Sequence, residues 1–310
     1  GRIREAAAGT AMAGTGINAH FSAIPLSTSG YALHFLSSAS RGVSSSASNT
    51  ASSYSSPAPA PVPPPEIHAS DVHATVFAHA PLSYFAIDKL TPKGPRKNAD
   101  VGQPHDSTRG LAEMGSTCSG SWWCAKGGWP SPAKRDTTEI FHVLSGHGCL
   151  TDEDSTQHYF GPGDTVTLPK GWSGRWDVLQ DIHKIWFVYD HPNVEETSNP
   201  IRAQIVSYHS LTAPHLQIPQ GERDNALGSP CIASRKIYHR GPTQVGCWTC
   251  TPGSFSVSTG NVEGFHLLEG ILVLTNASSG SAQRCVAGDT VLLPQGWTGY
   301  MDVIEPVRKL

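Results

Sequence analysis

The chain has 310 residues, which is room for about two domains. Its formal net charge is −3 and 15% of its residues are charged, so neither a nucleic-acid-binding nor another polyanion-binding surface is indicated. No apolar run is long enough to span a bilayer, and the seven cysteines, an odd number in a long chain, predict free and mostly buried thiols in a reducing compartment.

Residues 1–65 have the composition of a disordered tail. Ser and Ala dominate residues 37–56, and residues 57–65 are rich in proline, so this stretch cannot bury enough apolar surface to fold. It is also poor in acidic residues and carries arginines, a pattern typical of a transit peptide to a plastid or mitochondrion. The alternative is a disordered tail that carries no targeting signal, on a cytoplasmic protein. The first residue is Gly, which leaves a fragment or a processed chain open.

The chain after residue 65 reads as an all-β protein. Residues 72–87 alternate well enough to predict a strand, and the remainder consists of short apolar runs separated by Gly and Pro. No segment has the long helical period of an amphipathic helix, which argues against long helices.

An internal repeat organises the chain. Residues 139–146 (EIFHVLSG) recur as residues 263–270 (EGFHLLEG), and residues 163–172 (GDTVTLPKGW) recur as residues 288–297 (GDTVLLPQGW). In the second block, Gly-Asp predicts a tight turn and the β-branched and aliphatic residues after it predict a strand. Pro ends that strand because it has no N–H group to donate.

Further matches keep nearly the same spacing. They pair Trp123 with Trp248, Gly174 with Gly299, Asp177 with Asp302, and Lys184 with Lys309. We therefore predict one folded unit over residues 66–192 and a second over residues 193–310. The first copy runs on past Lys184 with the apolar residues 185–189 (IWFVY), whereas the second stops at residue 310, so the second unit is expected to be truncated at its C-terminal end.

The repeated blocks resemble the two sequence motifs of the cupin superfamily. The spacing of Glu139 and Gly146 fits the end of the first motif, and that of Gly163, Pro169 and Gly171 fits the start of the second. More specifically, the blocks are similar to the (S)-ureidoglycine aminohydrolase cupin domain, which carries a Lys soon after the second motif. The resemblance covers about two thirds of the chain and implies two RmlC-like jelly-roll barrels, that is, a bicupin.

The resemblance also implies where a cupin metal would bind, and its ligands are missing. A cupin metal needs three imidazole or carboxylate groups beside the Glu. Two His are expected before the Glu, in the first copy near residues 132–135, and neither copy has them. The third falls on Gly174 and Gly299. Only Glu139 and Glu263 remain, so we predict that neither barrel holds a metal or another cofactor.

His142 and His266 repeat three residues after the Glu of each copy. Odd spacing along a strand puts them on the opposite face, so we predict a structural or interface role rather than metal binding. No metal role is expected for His68, His73 and His79 either.

Cys247 and Cys250 form a lone CxxC motif. A zinc site would need a second pair at suitable spacing, and a thioredoxin-like site would need a following helix, neither of which the sequence offers. We predict structural thiols on a strand.

Two kinds of polar residue recur where the barrel interiors are expected. Glu139 and Glu263 keep the inward position, and Lys184 and Lys309 follow the second motif. A buried carboxylate must be paired or protonated, so we predict an ion pair between Lys and Glu in each copy. The alternative is that the Lys caps the barrel mouth or lies exposed, since a turn is expected before Lys184. Trp176 is expected to point inward and completes the set of candidate pocket residues. Two roles are open for it: packing in the core or rim, which is the default for each Trp, or a stacking wall for a planar or sugar-like ligand.

Three classes of function are open at this point. The first is a metal-free bicupin that binds an unidentified small molecule in its barrels, or assembles with a partner, without catalysis. The second is a hydrolase like the aminohydrolase namesake, acting on a small ureido or amino compound through a metal whose ligands are absent here. The third is a metal-free lyase, isomerase or hydrolase that uses Glu and Lys as acid and base. No nucleic-acid or membrane partner is expected, and homodimer formation is left open.

Overall fold

The computed structural model describes residues 76–192, 200–214, 217–222 and 226–310. The predicted tail or transit peptide over residues 1–65 lies outside these ranges. Within them the chain is mostly β-structure, arranged in two sheets of nine strands each, which confirms the all-β prediction. None of the helices in the described ranges has the length and apolar character needed to cross a membrane.

The first half of the described chain supplies most strands of one sheet and one strand of the other. The strands are β1 (Ala78–Ala80), β2 (Thr91–Pro95), β3 (His105–Met114), β4 (Thr117–Cys124), β5 (Gly127–Ser131), β6 (Thr138–Asp152), β7 (Gln157–Phe160), β8 (Thr165–Leu168) and β9 (Gly174–Tyr189). Two short 3₁₀ helices, Leu82–Phe85 and Ile87–Lys89, separate β1 from β2.

The second half repeats this order and adds one short helix. Its elements are β10 (Gln204–Val206), α1 (Tyr208–Thr212), β11 (Ile218–Glu222), β12 (Cys231–Arg240), β13 (Thr243–Cys250), β14 (Gly253–Ser258), β15 (Glu263–Asn276), β16 (Ala282–Val286), β17 (Thr290–Leu293) and β18 (Thr298–Lys309).

Long antiparallel strands form the middle of each sheet. The order in the first sheet is β10-β8-β6-β9-β4-β3-β2, and in the second it is β1-β17-β15-β18-β13-β12-β11. In addition, β5 and β14 pair with β9 and β18, while β7 and β16 pair with β6 and β15. Each sheet surrounds its own apolar core, so the two repeats form two jelly-roll barrels.

The two barrels exchange their first strands. β1 precedes the first repeat in the sequence but pairs with β17 of the second barrel, and β10 precedes the second repeat but pairs with β8 of the first. Each barrel therefore contains a strand that the sequence places beside the other repeat. The predicted division between residues 192 and 193 stays a prediction, and the pairing of β10 shows that sheet contacts extend across it.

The repeated turn and the strand after it form as the sequence predicts. Gly163 (φ +85°) and Gly288 (φ +94°) occupy the left-handed region that favours glycine, in the turns before β8 and β17. Every residue of these two strands is buried. Each strand ends immediately before a proline, Pro169 or Pro294, which cannot donate a ladder hydrogen bond.

Two local predictions are wrong. In place of a strand over residues 72–87, the described part has only the short β1, which ends before Pro81, and then the 3₁₀ helices. The turn expected before Lys184 is absent, because β9 continues unbroken through this residue. Instead of a turn, the ladder between β6 and β9 contains register shifts, where one strand has more residues than the other. Each shift changes which face the following side chains occupy.

Strand register also corrects the alignment of the two copies. Trp248 lies opposite Lys309 in the ladder between β13 and β18, and Trp122 lies opposite Lys184 in the ladder between β4 and β9. The counterpart of Trp248 is therefore Trp122, not Trp123. Beyond the lysines the copies differ, since β9 continues well past this point whereas β18 ends at Lys309.

Candidate ligand-binding site

Glu139 and Lys184 form a buried ion pair inside the first barrel. Glu139 lies near the start of β6, and Lys184 lies on the adjacent strand β9. Lys184 Nζ donates to Glu139 Oε1 at 2.7 Å, and both residues are buried. The predicted pairing is present, and the alternative of an exposed Lys184 is wrong.

Aromatic rings surround the Lys184 ammonium. The distance from Nζ to the ring centroid is 3.8 Å for Phe141, 4.7 Å for Trp176 and 4.8 Å for Trp122. The negative faces of these rings attract the cation and offset part of its loss of hydration. Trp176 therefore points inward as predicted, and it stacks on Trp129 with centroids 6.1 Å apart.

A second cation, Arg135, holds the other oxygen of Glu139. Arg135 Nη2 lies 2.7 Å from Glu139 Oε2. Burial alone would raise the pKa of Glu139, but Lys184 and Arg135 outweigh it and bring the pKa to about 2. Burial lowers the pKa of Lys184, and the attraction of Glu139 opposes that shift. Glu139 is thus ionised at neutral pH, with both oxygens engaged.

Arg96 brings a third cation to the same interior. Its guanidinium carbon lies 4.4 Å from the ring centroid of Trp129, and its Nη1 donates to Asp106 Oδ2 at 2.8 Å. Trp122 Nε1 donates to the same carboxylate oxygen, also at 2.8 Å. Asp106 therefore orients both Arg96 and Trp122.

Most of these side chains, though not Asp106 or Phe141, line a cavity of about 320 Å³. Arg96, Arg135 and Lys184 all face it, together with Glu139 and four tryptophans. Three cations are thus opposed by the carboxylates of Glu139 and Asp106. The Nε atom of Arg135 is itself buried away from solvent and has no hydrogen-bond partner among the described residues.

The second barrel has the same ion pair in a more open setting. Lys309 Nζ lies 2.5 Å from Glu263 Oε1, and its ammonium lies 4.4 Å from the ring centroid of Phe265 and 4.9 Å from that of Trp248. The side chain of Glu263 is 44% exposed, against 10% for Glu139. The predicted pairing is present here too, but the second interior opens to solvent.

The two interiors also differ in charge. Strand register and the flanking backbone hydrogen bonds show which residues of the second barrel occupy the same positions. Thr259 replaces Arg135, Ile232 replaces Asp106, and Met301 replaces Trp176. Two charged groups and one aromatic wall are thereby lost. The constellation of cations and stacked rings belongs to the first barrel.

Neither interior fits the metal that cupin motifs imply. In the first barrel, cations occupy both oxygens of Glu139 and would repel a metal ion. At the third His position, a Cβ atom on Gly174 would overlap the carbonyl oxygen of Thr151, and one on Gly299 would overlap that of Thr275. An imidazole at either position would therefore require the backbone to move.

His142 and His266 lie away from both interiors, at the boundary between the barrels. His142 Nδ1 and Thr165 Oγ1 are 3.2 Å apart, and His266 Nδ1 and Thr290 Oγ1 are 3.0 Å apart. Both rings are buried and contact each other. This placement agrees with the predicted structural or interface role.

His79 is the described member of the histidines expected to have no metal role; His68 and His73 lie outside the described ranges. His79 Nε2 lies 2.8 Å from Asp289 Oδ2, which also accepts from the backbone N–H of Val286. The Sγ atom of Cys285 lies within 4.8 Å of a ring nitrogen of His79 and of a carboxylate oxygen of Asp289. The His79–Asp289 pair ties β1 to the turn before β17.

The cysteines have free thiols, and five of the seven are buried. Cys250 belongs to the core of the second barrel, whereas Cys247 packs in a separate cluster with Leu211 and Leu310. The two residues of the CxxC motif therefore point in different directions from β13. Their burial agrees with the structural role that the sequence predicts.

Three charged residues of the first interior escaped sequence-based prediction: Arg96, Asp106 and Arg135. A signal for Arg135 existed, because it stands four residues before Glu139, where a metal-binding His was expected. Arg96 and Asp106 lie upstream of the repeated blocks, so nothing in the repeat pointed to them.

Two jelly-roll barrels with a Glu at the inward position of each first motif give the protein the fold of a bicupin. The match is to one family in particular. The model of the EutQ-like cupin domain matches residues 111–186 and 239–310, once in each barrel. The narrower likeness to the ureidoglycine aminohydrolase domain remains a resemblance of motifs, and no curated protein matches the chain in sequence.

Solved structures share the fold at low sequence identity. A protein of unknown function from Pseudomonas syringae pv. tomato is 20% identical, with a TM-score of 0.57 over 76% of this chain and 98% of that one. A putative glyoxylate-induced protein from Pseudomonas aeruginosa is 15% identical, with a TM-score of 0.54 over 79% and 90%. A salicylate 1,2-dioxygenase variant from Pseudoaminobacter salicylatoxidans, in complex with gentisate, is 13% identical, with a TM-score of 0.51 over 76% and 81%. These likenesses establish the fold alone.

Proposed function

We propose that the first barrel binds a small, flat, anionic molecule without transforming it. The observation that carries the proposal is the charge of its cavity. Arg96, Arg135 and Lys184 face the cavity, and in the described part of the chain they form ion pairs with two carboxylates, Glu139 and Asp106. The cations thus outnumber their paired carboxylates by one, which favours an anionic ligand. The chemistry of the arginines supports the same reading, because a guanidinium facing the cavity suits a carboxylate or phosphate oxygen.

The walls of the cavity favour a planar ligand. Trp129 and Trp176 are nearly parallel, with an interplanar angle of 8°, and Trp122 stands edge-on to Trp176. The cavity volume of about 320 Å³ lies at the lower end of the range of roughly 300–1,000 Å³ that is usual for ligand pockets. A compact carboxylate therefore suits it better than a sugar chain or a nucleotide.

The second candidate, a hydrolase acting on a small ureido or amino compound, rests on the motif resemblance. In that family the reaction depends on a metal, and here Lys184 and Arg135 engage the carboxylate that would bind it. Stoichiometric Mn, Fe or Zn in the purified protein, together with release of ammonia from a ureido compound, would favour the hydrolase over the binding protein.

Calorimetric titration with matched acids and amides tests the proposal. We expect benzoate or oxalate to bind and the neutral analogues, benzamide and oxamide, to bind at least about tenfold more weakly, since the charge is lost. Arg135→Gln should weaken binding of the acid by a similar factor. Arg202→Gln is the matched control, because Arg202 lies on the surface and pairs with Asp154. Equal binding of acids and amides, or no binding of either acid, would overturn the proposal.

A further inference from the structure

Three potential metal ligands meet where the exchanged strand β1 pairs with the second barrel. His79 is the middle residue of β1, Cys285 lies on β16, and Asp289 lies in the turn between β16 and β17. A ring nitrogen, the thiol sulfur and a carboxylate oxygen from these side chains all lie within 4.8 Å of one another. None of the three residues lines the cavity of the first barrel. Ligands of three different types, from distant parts of the chain, thus converge on one point.

The cluster is shielded from water, unlike a group of acids on a protein surface. Cys285 is fully buried, Asp289 is nearly so, and the side chain of His79 is 14% exposed. A buried carboxylate needs compensation. Asp289 Oδ2 receives it from the backbone N–H of Val286 and from His79, whose Nε2 lies 2.8 Å away. His79 is therefore the member of the cluster nearest to solvent.

The first barrel has the same turn without the other two ligands. Strand register and the repeated turn give the counterparts, which are Ile205 for His79, Phe160 for Cys285 and Asp164 for Asp289. Ile205 and Phe160 pack in the apolar core of the first barrel. The fold therefore accepts apolar side chains at these two positions, and neither an imidazole nor a thiol is needed to build it.

The carboxylate, in contrast, belongs to the turn in both barrels. Asp164 Oδ2 accepts from the backbone N–H of Gly161 at 2.8 Å, as Asp289 Oδ2 accepts from that of Val286 at 3.0 Å. The second barrel thus adds a thiol and an imidazole to a carboxylate that the turn already holds in place.

This combination of ligands matches zinc. Zinc binds thiolate sulfur, imidazole nitrogen and carboxylate oxygen, and a site with three protein ligands leaves a fourth position for water. Zinc–ligand bonds of about 2.0–2.3 Å place tetrahedral ligand atoms roughly 3.4–3.6 Å apart. The three atoms here lie within 4.8 Å, so small side-chain movements suffice. Calcium and magnesium prefer oxygen ligands throughout, which the thiol does not provide.

We propose that His79, Cys285 and Asp289 bind one zinc ion, which links β1 to the second barrel. A thiolate and a carboxylate balance the two charges of the ion and the imidazole is neutral, so the buried site carries no net charge. On binding, the Cys285 thiol releases its proton to solvent, and His79 keeps its proton on the ring nitrogen that does not bind the ion. Without metal, Cys285 packs as a neutral thiol.

The ion acts on a short element of the fold. β1 has three residues and precedes the first repeat in the sequence, yet it pairs with β17 of the second barrel. So short a ladder provides few hydrogen bonds, and its middle residue is the one that binds the ion. Zinc should therefore stabilise the attachment of β1, and with it the folded protein, because the three ligands meet only in the folded state.

Zinc titration of the full chain tests the site. Every chain carries Cys231→Ser, because this exposed thiol could bind the ion by itself. After treatment with a chelator, we expect uptake of about one zinc ion per chain. A hundredfold excess of zinc over its Kd should raise the Tm by about 5 °C or more. It should also slow amide hydrogen exchange in β1, Ala78–Ala80. Cobalt(II) is the spectroscopic probe, since a bound thiolate gives a charge-transfer band in the near ultraviolet.

Matched variants assign the ligands. His79→Gln and Cys285→Ser should each weaken zinc binding at least about tenfold. Asp289→Asn should weaken it too, whereas Asp164→Asn, the same change in the turn of the first barrel, should leave the affinity unchanged. Cys250→Ser removes another buried thiol of the same core and should also leave it unchanged.

Three results would overturn the proposal. One is zinc uptake no greater than that of the Cys285→Ser protein. Another is a cobalt complex without the thiolate band, a measurement that needs no ligand variant and so does not depend on how the variants fold. The third is full zinc affinity in His79→Gln, which would place the ion elsewhere, such as beside Glu139. Benzoate titration of the first barrel runs in parallel, and its outcome does not depend on the zinc site.

Discussion

His142 and His266 face each other across the boundary between the barrels, with their ring centroids 5.5 Å apart. Burial lowers the pKa of His142 to about 4. Burial, reinforced by the neighbouring His142, lowers the pKa of His266 to about 3. Both rings are therefore neutral in the folded protein over most of the acid range, and the contact between the barrels depends on this neutrality.

We expect the protein to lose stability as the pH falls below about 6.5, the ordinary pKa of histidine. In the unfolded chain both histidines protonate near that value, whereas in the folded chain they stay neutral down to about pH 4 and pH 3. The unfolded state thus binds more protons, so acid favours it. The loss amounts to roughly 4 kcal/mol for the pair between pH 7 and pH 5. Urea denaturation at a series of pH values measures it.

The double variant His142→Asn, His266→Asn checks the assignment. Asn is neutral at every pH and can still bond to the threonine beside it, so the slope of stability between pH 7 and pH 5 should become much shallower. His209→Asn on the surface helix α1 is the control and should keep the slope of the parent protein. An unchanged slope in the double variant would show that other groups cause the acid sensitivity.

The two Lys–Glu pairs should differ in their contribution to stability. Lys184→Met leaves a buried Glu139 with Arg135 as its remaining cation, and breaking a buried pair in this way costs about 3 kcal/mol. Lys309→Met should cost about 1 kcal/mol or less, because water reaches Glu263 and screens its charge. Chemical denaturation of both variants gives the comparison, with each lysine serving as the control for the other.

Equal losses in the two lysine variants would contradict this account. They would mean that the exposure of Glu263 does not weaken its ion pair, or that Arg135 fully compensates for Lys184. Arg135→Gln alone distinguishes these explanations, since compensation predicts that Arg135→Gln and Lys184→Met together cost far more than the sum of the single changes.

The repeat made much of the fold and part of the site predictable. The Gly-Asp turn, its strand and the following proline are local signals, and they occur twice, so two barrels could be expected from sequence. Both Lys–Glu pairs could be expected as well, because a carboxylate on an inward strand position needs a counter-charge, and a lysine recurs at matching distance. The features that lie within the repeated blocks could therefore be predicted from the sequence.

What lies outside the repeat was not predictable in the same way. The exchanged strands β1 and β10 have three residues each, too few to show a period, and their partners lie in the other half of the chain. Arg96 follows the end of β2 and Asp106 lies on β3, and the repeated blocks do not include either segment. The continuous course of β9 through Lys184 depends on β-bulges, which cannot be read from an alternating pattern.

A side chain at position 264 should destabilise the protein, because the ring of Phe187 from the first barrel packs against Gly264. An added Cβ would lie 2.5 Å from Phe187 Cδ1 and 3.2 Å from Leu292 Cδ1. Gly264→Ala should therefore reduce the free energy of unfolding by about 1–3 kcal/mol, the usual cost of overpacking. Phe187→Leu in the same chain should recover part of the loss, since the smaller side chain makes room.

Gly110→Ala is the matched control for Gly264→Ala. Gly110 also lies on a strand, but a Cβ there would have nothing within 4 Å, and its backbone does not require glycine. Its replacement should be neutral or slightly stabilising, because alanine restricts the unfolded chain. A Gly264→Ala protein as stable as the Gly110→Ala protein would show that Phe187 can move away without cost.

The seven cysteines should differ sharply in how fast they react with a disulfide reagent. Cys231 is exposed, Cys118 is half-buried and the others are buried. Burial raises the pKa of Cys124 and of Cys285 to about 12, which leaves almost no thiolate at neutral pH. We expect a disulfide reagent to modify one thiol rapidly in the native protein and all seven after unfolding without reductant.

Cys231→Ser should remove the fast phase of this reaction and leave the slow phases unchanged. The slow phases then report opening of the barrels, because each buried thiol must reach solvent before it reacts, and their rates should follow stability across the glycine and lysine variants. Fewer than seven thiols in the unfolded, unreduced protein would mean that some are oxidised. A rapid reaction at Cys247 or Cys250 would mean that β13 opens readily, and the packing of the CxxC motif described above would then be wrong.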